Sequence, residues 1–427
     1  MDCWRLGAWA WLMLFAGLLL ASPAQATDRI VAIQFLGNRT TRPSVMLQQM
    51  TIHVGDPADP VRIEASRQAI MNLGLFRSVR ANLLAAPGGQ ILQISVQEKY
   101  YILPLPRLSR DANGDISYGA DISLDNFRGL NQQVELLYQK TIPHDLNSTV
   151  IKNWSLNYTV PRVIDKNYGY SVSASRTQND FTAGPVGLGQ GLYAFDGRAA
   201  SFSVTDYPFG GPSQGWAVSA GAAWNDNFYN FLSGTPGLYV TTRTVALTGG
   251  INYSDVKDLT YSRSGFAYGY NLQVGARAFG SDYGFAQHQL YIRAYMPVGH
   301  APHQNLDVQL ELGLSSGYPQ PVFFLGGSDN LRGFERNSIY GNSFVLANIQ
   351  YLRPIGHHPA WRTVLFTDIG NAYPNDARIN LTHLETDVGT GLRWRIQSFV
   401  NTELRLDLAY GINSRDKKIY AGTHDIF

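Results

Sequence analysis

The stretch NLDVQLELGL, residues Asn305–Leu314, alternates apolar and polar side chains without a break. Leucine or valine occupies every second position, and Asp307, Gln309 and Glu311 lie between them. Successive side chains of a strand point to opposite faces, so the stretch predicts a strand with one apolar and one polar face. Such a strand fits a soluble sandwich, whose apolar face points inward. It also fits a membrane barrel, whose apolar face meets lipid and whose polar face lines a wet lumen.

The spacing of turn signals separates these two folds. Seven short turn-forming segments occur at Phe127–Asn131, Pro161–Asn167, Pro208–Gln214, Asp255–Arg263, Pro297–His303, Pro354–Pro359 and Ser398–Val400. Longer polar segments fall between them at Gln178–Gly191, Asp226–Gly237, Gly275–Phe285, Tyr318–Tyr340 and Pro374–Thr386. Short turns at one rim and long loops at the other are typical of outer-membrane barrels. Seven turns that join eight hairpins predict an all-β transmembrane barrel of sixteen strands over residues 100–427.

Several details of this barrel follow from the same pattern. Both of its ends lie on the short-turn rim, which is the periplasmic side. Aromatic residues beside the turns predict a girdle at the lipid interface, formed by Tyr158, Tyr207, Tyr295 and Tyr351. The first strand, Tyr100–Ser109, must close against the last, Ile419–Phe427. Pro104 and Pro106 cannot donate to a sheet ladder, which favours an edge or interrupted first strand.

Composition and the start of the chain agree with an exported barrel. Charged residues make up only 15% of the chain, against about a quarter in ordinary soluble domains. Arg5, an apolar run and then Ala24–Ala26 predict a secretory signal peptide over residues 1–26. Cys3, the single cysteine, lies in that segment, so the mature chain has neither a disulfide nor a cysteine ligand. The net charge of +2 gives no basis for nucleic-acid binding.

Residues 27–99 have a mixed pattern. Arg29–Phe35 alternates like a strand, and Pro43–Met50 and Val61–Leu73 follow with apolar residues at helical spacing. Ser78–Leu84 and Gln90–Val96 alternate again around an Ala-Pro-Gly-Gly turn. The order strand–helix–helix–strand–strand predicts a small α+β domain in front of the barrel.

The chain lacks the patterns of common catalytic sites. It has no Gly-x-Ser-x-Gly segment, and the glycine run Gly187–Gly191 lies in a polar loop rather than between a strand and a helix. His300 and His303 share one short turn, and His357 and His358 share the next. We expect these histidines to be ordinary turn residues at a wet rim rather than ligands of a metal ion. We therefore expect no enzyme, no metal and no cofactor.

The N-terminal pattern resembles a known domain. FLGN (Phe35–Asn38) and LGLFRSV (Leu73–Val79), within the strand–helix–helix–strand–strand order, resemble one polypeptide-transport-associated (POTRA) domain. The resemblance implies an exposed strand edge that accepts an extended client segment by β-augmentation. It also implies contacts with periplasmic partners.

Two further motifs resemble those of the BamA/TamA-type outer-membrane assembly and secretion superfamily, or bacterial surface antigen family. Its sixth extracellular loop carries an arginine–glycine–aromatic motif, and the corresponding residues here are Leu331, Arg332, Gly333 and Phe334. Its strand thirteen carries a Phe-x-Asp-x-Gly motif, and the corresponding residues here are Phe366, Asp368 and Gly370. The terminal Phe427 resembles the outer-membrane targeting signal. The motifs fall between strands eleven and twelve and on strand thirteen, as in that superfamily.

The paired motifs also have a physical interpretation. Alternation along its strand points Asp368 into the lumen, where Arg332 can meet it in a bidentate, charge-assisted pair. Gly333 removes side-chain bulk where the loop turns, and Phe334 can pack against the wall. Gly326–Gly327 allow backbone angles that other residues resist. The sequence therefore predicts that the sixth loop folds inward and is held there by one ion pair.

The resemblance implies a bacterial outer-membrane protein whose N-terminal domain lies in the periplasm. It implies a role in the insertion, assembly or translocation of unfolded outer-membrane or secreted client proteins, in contact with outer-membrane lipids. A two-partner secretion-type transporter for one dedicated exoprotein stays open, although it usually carries two POTRA domains and a plug helix. A passive pore and a lipid-handling role also stay open.

Overall fold

The computed structural model describes most of the chain, in two successive parts. The described residues are 29–110, 116–142, 150–183, 191–235, 241–374, 378–400 and 402–423. The predicted signal peptide and the terminal Phe427 lie outside them. A three-stranded sheet comes first and a sixteen-stranded sheet follows. Within the described ranges, no helix is long and apolar enough to cross a membrane.

The first part is the predicted α+β domain. Its elements are β1 (Ile30–Leu36), α1 (Pro43–Leu47), α2 (Pro60–Met71), β2 (Phe76–Ala86) and β3 (Gly89–Glu98). The sheet order is β1-β3-β2, with β1 parallel to β3 and β2 antiparallel to it. The two helices and the sheet share one apolar core, which includes Ile30, Met46, Ile70, Phe76 and Leu92. The predicted order of elements is confirmed, although α1 is shorter than predicted.

The second part is the predicted sixteen-stranded antiparallel barrel. Its first eight strands are β4 (Ile102–Arg110), β5 (Ile116–Phe127), β6 (Gln132–Ile142), β7 (Ile151–Val160), β8 (Tyr168–Ala183), β9 (Gly191–Gly211), β10 (Gln214–Gly234) and β11 (Thr242–Asp258). The next three are β12 (Arg263–Gly275), β13 (Phe285–Pro297) and β14 (Asn305–Ser316). A small hairpin, β15 (Phe323–Leu325) and β16 (Ile339–Gly341), interrupts the sequence. The last five strands are β17 (Ser343–Ile355), β18 (His358–Tyr373), β19 (Glu385–Arg395), β20 (Glu403–Gly411) and β21 (Lys417–Gly422).

Burial along the strands follows the predicted alternation. On β14, Asp307 and Gln309 are buried on the inner face, while Leu310 and Leu314 are exposed on the outer face. On β20, Glu403, Arg405 and Asp407 are buried, and the leucines between them face outward. The polar face therefore lines the lumen, and the apolar face is free to meet lipid, as in an outer-membrane barrel.

All seven predicted short turns lie between consecutive strands, but parts of two predicted loops are strand. β8 continues to Ala183 and pairs with β9, and β10 continues to Gly234. Polar side chains can take part in the ladder there, because water reaches both faces of a strand that extends beyond the bilayer. Asp226 shows this, since its carboxylate pairs with Arg243 on the neighbouring strand at 2.8 Å. The described residues of the predicted loop Gln178–Gly191 and most of the predicted loop Asp226–Gly237 are therefore strand, and the two loop predictions were wrong there.

The aromatic girdle was predicted correctly for two of its four residues. Tyr158 and Tyr351 lie on the outward faces of β7 and β17. Tyr295 is buried on the lumen face of β13, next to Arg263, and Tyr207 is buried beside a register shift. Position near a turn does not fix the face of a residue. Tyr295 lies at an inward position of a regular strand, and Tyr207 lies beside a bulge, which changes the alternation.

The N-terminal domain rests on the short-turn rim of the barrel. The Arg42 backbone N–H donates to the Gly129 carbonyl, and the Gln48 side chain donates to the Val163 and Lys166 carbonyls. At the same rim, the start of the first barrel strand meets the turn between β19 and β20. There the Tyr100 N–H donates to the Ser398 carbonyl at 2.7 Å. The rim therefore joins both parts of the chain and brings the first barrel strand to the end of the sheet.

Candidate functional site: the sixth-loop latch

The long loop between β14 and β17, residues 317–342, folds into the lumen. Its β15–β16 hairpin leads into a turn at Gly326 and Gly327, whose φ angles of +101° and +109° favour glycine. The Asn330 side-chain oxygen accepts the Gly326 N–H at 2.6 Å and the Leu331 N–H at 2.7 Å. These bonds close the turn and direct the following residue, Arg332, towards the barrel wall.

Arg332 and Asp368 are in the predicted contact. Arg332 Nε donates to Asp368 Oδ2 and Nη2 donates to Oδ1, both at 2.7 Å, and both side chains are fully buried. The Arg332 backbone N–H also donates to this carboxylate, at 3.2 Å. The guanidinium carbon lies 3.4 Å from the centre of the Phe366 ring. A planar guanidinium suits this site because it can pair bidentately at its edge and stack on its face.

The wall beneath the arginine is a row of acidic residues. Asp368 on β18 is directly opposite Asp387 on β19, so two acidic side chains lie side by side on the lumen face. The Gly333 N–H donates to Asp387 Oδ2 at 2.8 Å and satisfies one of these oxygens. Asp407 Oδ2 on β20 lies 3.6 Å from Arg332 Nη1. The loop therefore brings a cation and an N–H donor to a cluster of three carboxylates.

Other groups that sequence reasoning missed complete this cluster. Asn348 on β17 donates from Nδ2 to Asp368 Oδ1 and to the Asn330 carbonyl, both at 2.8 Å. Arg393 on β19 pairs with Asp407, with its Nη1 at 2.5 Å and its Nη2 at 3.2 Å. Alternation places all of these residues on the lumen face, but it gives no signal that singles them out from the other polar lumen residues. Only their contact with the inward-folded sixth loop distinguishes them from those residues.

Gly333 is required by close packing. A Cβ at this position would lie 2.4 Å from the Asp387 Cβ and 2.6 Å from the Gly411 nitrogen. Real Cβ atoms do not approach backbone so closely, so any other residue would move the loop away from the wall. This is the loss of bulk that the sequence predicted. The reason is contact with β19 and β20 rather than an unusual backbone angle.

The remaining motif residues pack around the ion pair. Leu331 and Phe334 are buried in an apolar cluster together with the hairpin and wall residues Phe323, Leu325, Phe344, Leu346 and Ala372. Gly370 also lies against a neighbouring strand, since a Cβ there would be 2.6 Å from the Val345 carbonyl oxygen. The apolar cluster and the ion pair hold the loop at the same wall. We call Arg332, Asp368 and the residues that contact them the latch.

The loop also touches the last strands of the barrel. Tyr420 Oη on β21 donates to the Phe334 carbonyl at 3.1 Å, and Lys418 Nζ lies 3.5 Å from Glu335. Arg405 on β20 pairs with Asp329 at 3.0 Å. The latch is therefore connected to the strand that ends the sheet.

The turn histidines do not form a cluster with the latch. His303 Nδ1 lies 3.1 Å from Ser262 Oγ, and its ring packs edge-on against Tyr261 at 5.2 Å. In the part of the chain that the structure describes, no group of three or more histidine, cysteine or acidic residues has the geometry to hold a metal ion.

A small α+β domain at the short-turn rim of a sixteen-stranded barrel, with an inward-folded sixth loop, defines a class of outer-membrane proteins that assemble or export other proteins. The sequence model of the Omp85 superfamily domain matches residues 126–423, and that of the surface antigen variable number repeat, or POTRA, matches residues 29–99. The chain therefore belongs to the Omp85 superfamily. It is an outer-membrane β-barrel protein whose N-terminal POTRA domain lies in the periplasm.

Solved structures share the fold at low sequence identity. BamA from Haemophilus ducreyi, lacking POTRA domains 1–3, is 15% identical with a TM-score of 0.54, covering 93% of this chain and 84% of that one. CdiB from Acinetobacter baumannii is 14% identical with a TM-score of 0.62, covering 92% and 73%. CdiB from Escherichia coli is 12% identical with a TM-score of 0.65, covering 93% and 77%. No curated protein matches the sequence.

Proposed function

We propose that the protein assists the insertion and assembly of client β-barrel proteins in the outer membrane, without a bond-making or bond-breaking step. In this proposal residues 27–99 form the periplasmic client-binding domain and residues 100–427 form the membrane barrel. β3 ends at Glu98 and β4 begins at Ile102, which supports this division. The mechanism has three parts, namely capture of a client strand, opening of the barrel between β4 and β21, and control of the sixth loop by the latch.

The observation that carries the proposal is the buried Arg332–Asp368 pair. A long loop fixed in the lumen by a fully buried ion pair obstructs passage through the barrel, which disfavours a wide passive pore. Burying two charges has a high desolvation cost, which close geometry and further hydrogen bonds must offset. Here the loop also contacts Lys418 and Tyr420 on the last strand. The latch can therefore hold the loop and the last strand in one arrangement.

The POTRA sheet supports the first part of the mechanism. β1 and β2 are the edge strands of the sheet. The outer edge of β1 is occupied at Ile30 by hydrogen bonds with Gly55 and Asp56, so an added strand can pair with β1 beyond Ile30 or with β2. Leu83 and Leu84, near the end of β2, are exposed. An extended client segment can add to such an edge through main-chain hydrogen bonds, while exposed side chains contact it.

The two end strands support the second part. β4 and β21 end the sheet order, and the described part of β21 pairs with β20 over six residues. Pro104 and Pro106 on β4 pair with Ile122 and Ala120 of β5, and each lacks a backbone donor. A weakly paired seam between β4 and β21 would open at low cost and thin the nearby lipid. Outer-membrane lipids would then be direct partners of the mechanism.

Depletion of the protein tests this proposal. We expect broad loss of outer-membrane barrel proteins, restored by the wild-type chain and not by a chain with Asp368→Ala, as measured by quantitative proteomics of outer-membrane and secreted fractions. Loss of a single secreted protein would instead identify a two-partner secretion transporter. Unchanged proteomes with altered solute uptake would show a pore and contradict the proposal.

A further inference from the structure

The extracellular half of the lumen contains a large cavity that the latch does not use. Its volume is about 1010 Å³, at the upper end of the range of small-molecule sites. Lumen-facing residues of β10, β11, β12 and β13 form one side, and the sixth loop with its β15–β16 hairpin forms the other. The cavity therefore lies between the barrel wall and the opposite side of the loop from the latch.

The lining of this cavity is uncharged, and its polar groups lie mainly on the wall of the barrel. Amide and hydroxyl side chains project from the wall, among them Asn225, Asn227, Thr244, Gln273 and Gln287. None of the described residues that line the cavity is acidic or basic. Charged groups are common elsewhere in the same lumen, as at the latch and at Arg293 with Glu311. A neutral lining in a charged lumen favours a ligand without net charge.

The loop side presents aromatic rings to the cavity. Phe324 and Tyr340, which pair across the hairpin, are 47% and 59% exposed, with ring centres 6.3 Å apart. A further group of Tyr283, Phe285 and Tyr318 packs at the edge of the cavity. Exposed aromatic surface inside a wet lumen has an energetic cost, and such patches commonly mark binding sites.

We propose that this cavity binds a neutral oligosaccharide. Sugar rings have apolar C–H faces that pack on aromatic rings, and their hydroxyls both donate and accept hydrogen bonds. Asparagine and glutamine side chains also do both, so the wall amides match the hydroxyls. The rings of Phe324 and Tyr340 contact the faces of the sugar, and Asn225 and Asn227 bind its edges. The cavity lies in the extracellular half of the lumen, so its ligand would come from that side of the membrane.

Isothermal titration calorimetry of the full-length protein in a sugar-free amine-oxide detergent tests the site. The neutral probes are maltohexaose and chitohexaose, and the anionic comparator is hexagalacturonate. We expect saturable binding of at least one neutral probe and much weaker binding of the anionic one. A Phe324→Ala/Tyr340→Ala double variant should bind the neutral probe with a dissociation constant at least about tenfold higher. Each lost ring contact weakens binding by up to about tenfold.

Matched variants separate binding from folding. Phe279→Ala removes an exposed ring outside the cavity and should leave binding unchanged. If the double variant fails to fold, as judged by the heat-dependent gel shift of the barrel, Asn225→Leu on the opposite wall provides the same test. The proposal is overturned if neither neutral probe binds, if the anionic probe or an uncharged decapeptide binds more tightly, or if these variants leave affinity unchanged. None of these outcomes depends on client assembly.

Discussion

Arg332 is a cation held entirely within protein, and its surroundings make it sensitive to small changes. Its bidentate bonds to Asp368, the ring of Phe366 and the nearby Asp407 all depend on the planar guanidinium. Loss of one partner from a buried pair leaves the other charge uncompensated, which typically costs about 3–5 kcal/mol. The acidic row then has no cation from the loop, so the loop should leave the wall.

Arg332→Ala should therefore release the sixth loop. Leu331 is fully buried beside it, so a cysteine at position 331 reports the release through maleimide labelling. The mature chain should have no other cysteine. We expect slow labelling of Leu331→Cys alone and labelling at least tenfold faster when Arg332→Ala is added, since an energy loss of about 1.4 kcal/mol already gives tenfold.

Arg336→Ala is the matched control, because Arg336 is an exposed arginine of the same loop. Its labelling should equal that of the parent. Arg332→Lys should give an intermediate rate, since a lysine keeps the charge but loses the bidentate fork. Equal labelling of Arg332→Ala and Arg336→Ala would refute the latch.

Gly333→Ala tests the close contact of the loop with β19 and β20. The added methyl would lie 2.4 Å from the Asp387 Cβ, so the loop must move or the wall must yield. We expect a loss of about 1–3 kcal/mol in loop anchoring, as is usual for overpacking, read by the same labelling assay. Gly284→Ala is the control, since its Cβ would meet nothing nearer than 3.8 Å. Equal behaviour of the two variants would show that Gly333 has no packing role.

At the scale of the elements, the end strands differ from the rest of the sheet. Pro104 and Pro106 are two residues apart on β4, so both missing donors fall on one edge of the strand. Since the same strand keeps its ladder with β5, that edge is the one that faces away from β5. The seam therefore lacks two hydrogen bonds that an ordinary strand would offer.

Pro104→Val/Pro106→Val should strengthen the seam. The new N–H groups can pair across it, so we expect the barrel to unfold at a higher temperature in the heat-dependent gel shift. Client assembly should become slower. Pro297→Val, at the end of β13 and away from the seam, should change neither quantity. A double variant with unchanged stability and full activity would contradict the role of the seam.

At the scale of the whole molecule, the POTRA domain and the barrel share one polar interface with a buried lysine. Lys99 Nζ donates to the Gly74 carbonyl at 2.7 Å, between the sheet and the rim. Burial lowers the pKa of Lys99 from 10.5 to about 8, with smaller contributions from Asp258 and Asp125, which raise it, and from Arg395 and Arg77, which lower it. Docking of the POTRA domain on the barrel rim therefore buries a charge that lies in water when the domain is released from the rim.

This arrangement predicts tighter docking at alkaline pH. Below pH 8 the lysine is charged in both states, so docking carries its full desolvation cost. Between pH 8 and 10.5 the released state binds more protons, so the docked state gains stability as pH rises. Spin labels on Val54→Cys and His357→Cys, both exposed, would report the docked fraction by pulsed EPR distance measurement.

The substitution Lys99→Met should remove this pH dependence. The POTRA domain of this variant should be fully docked on the barrel at pH 7, since no charge is buried. Lys166→Met, which changes an exposed lysine at the same rim, should behave like the parent. Docking that weakens between pH 8 and 10.5 in the parent would show that burial of Lys99 does not control the interface.

The sequence by itself determined the architecture, because strand alternation and turn spacing are local. Each strand shows its two faces in its own residues, and the short turns fixed the count of sixteen and the rim that carries both ends of the barrel. The Arg332–Asp368 contact was also predictable, because two motifs coincided with one lumen-facing carboxylate. The composition of a segment did not distinguish strand from loop where strands extend beyond the bilayer, because strands exposed to water on both faces have a composition similar to that of loops.

Only the tertiary structure decided what the loop meets once it folds inward. Asn348, Asp387 and Asp407 come from three different strands, and nothing in their local sequence separates them from other polar residues of the lumen. Their meeting depends on strand register and on a loop that crosses the lumen. The same is true of the uncharged cavity, whose two sides are far apart along the chain. Such sites arise from long-range packing, which alternation along a strand does not encode.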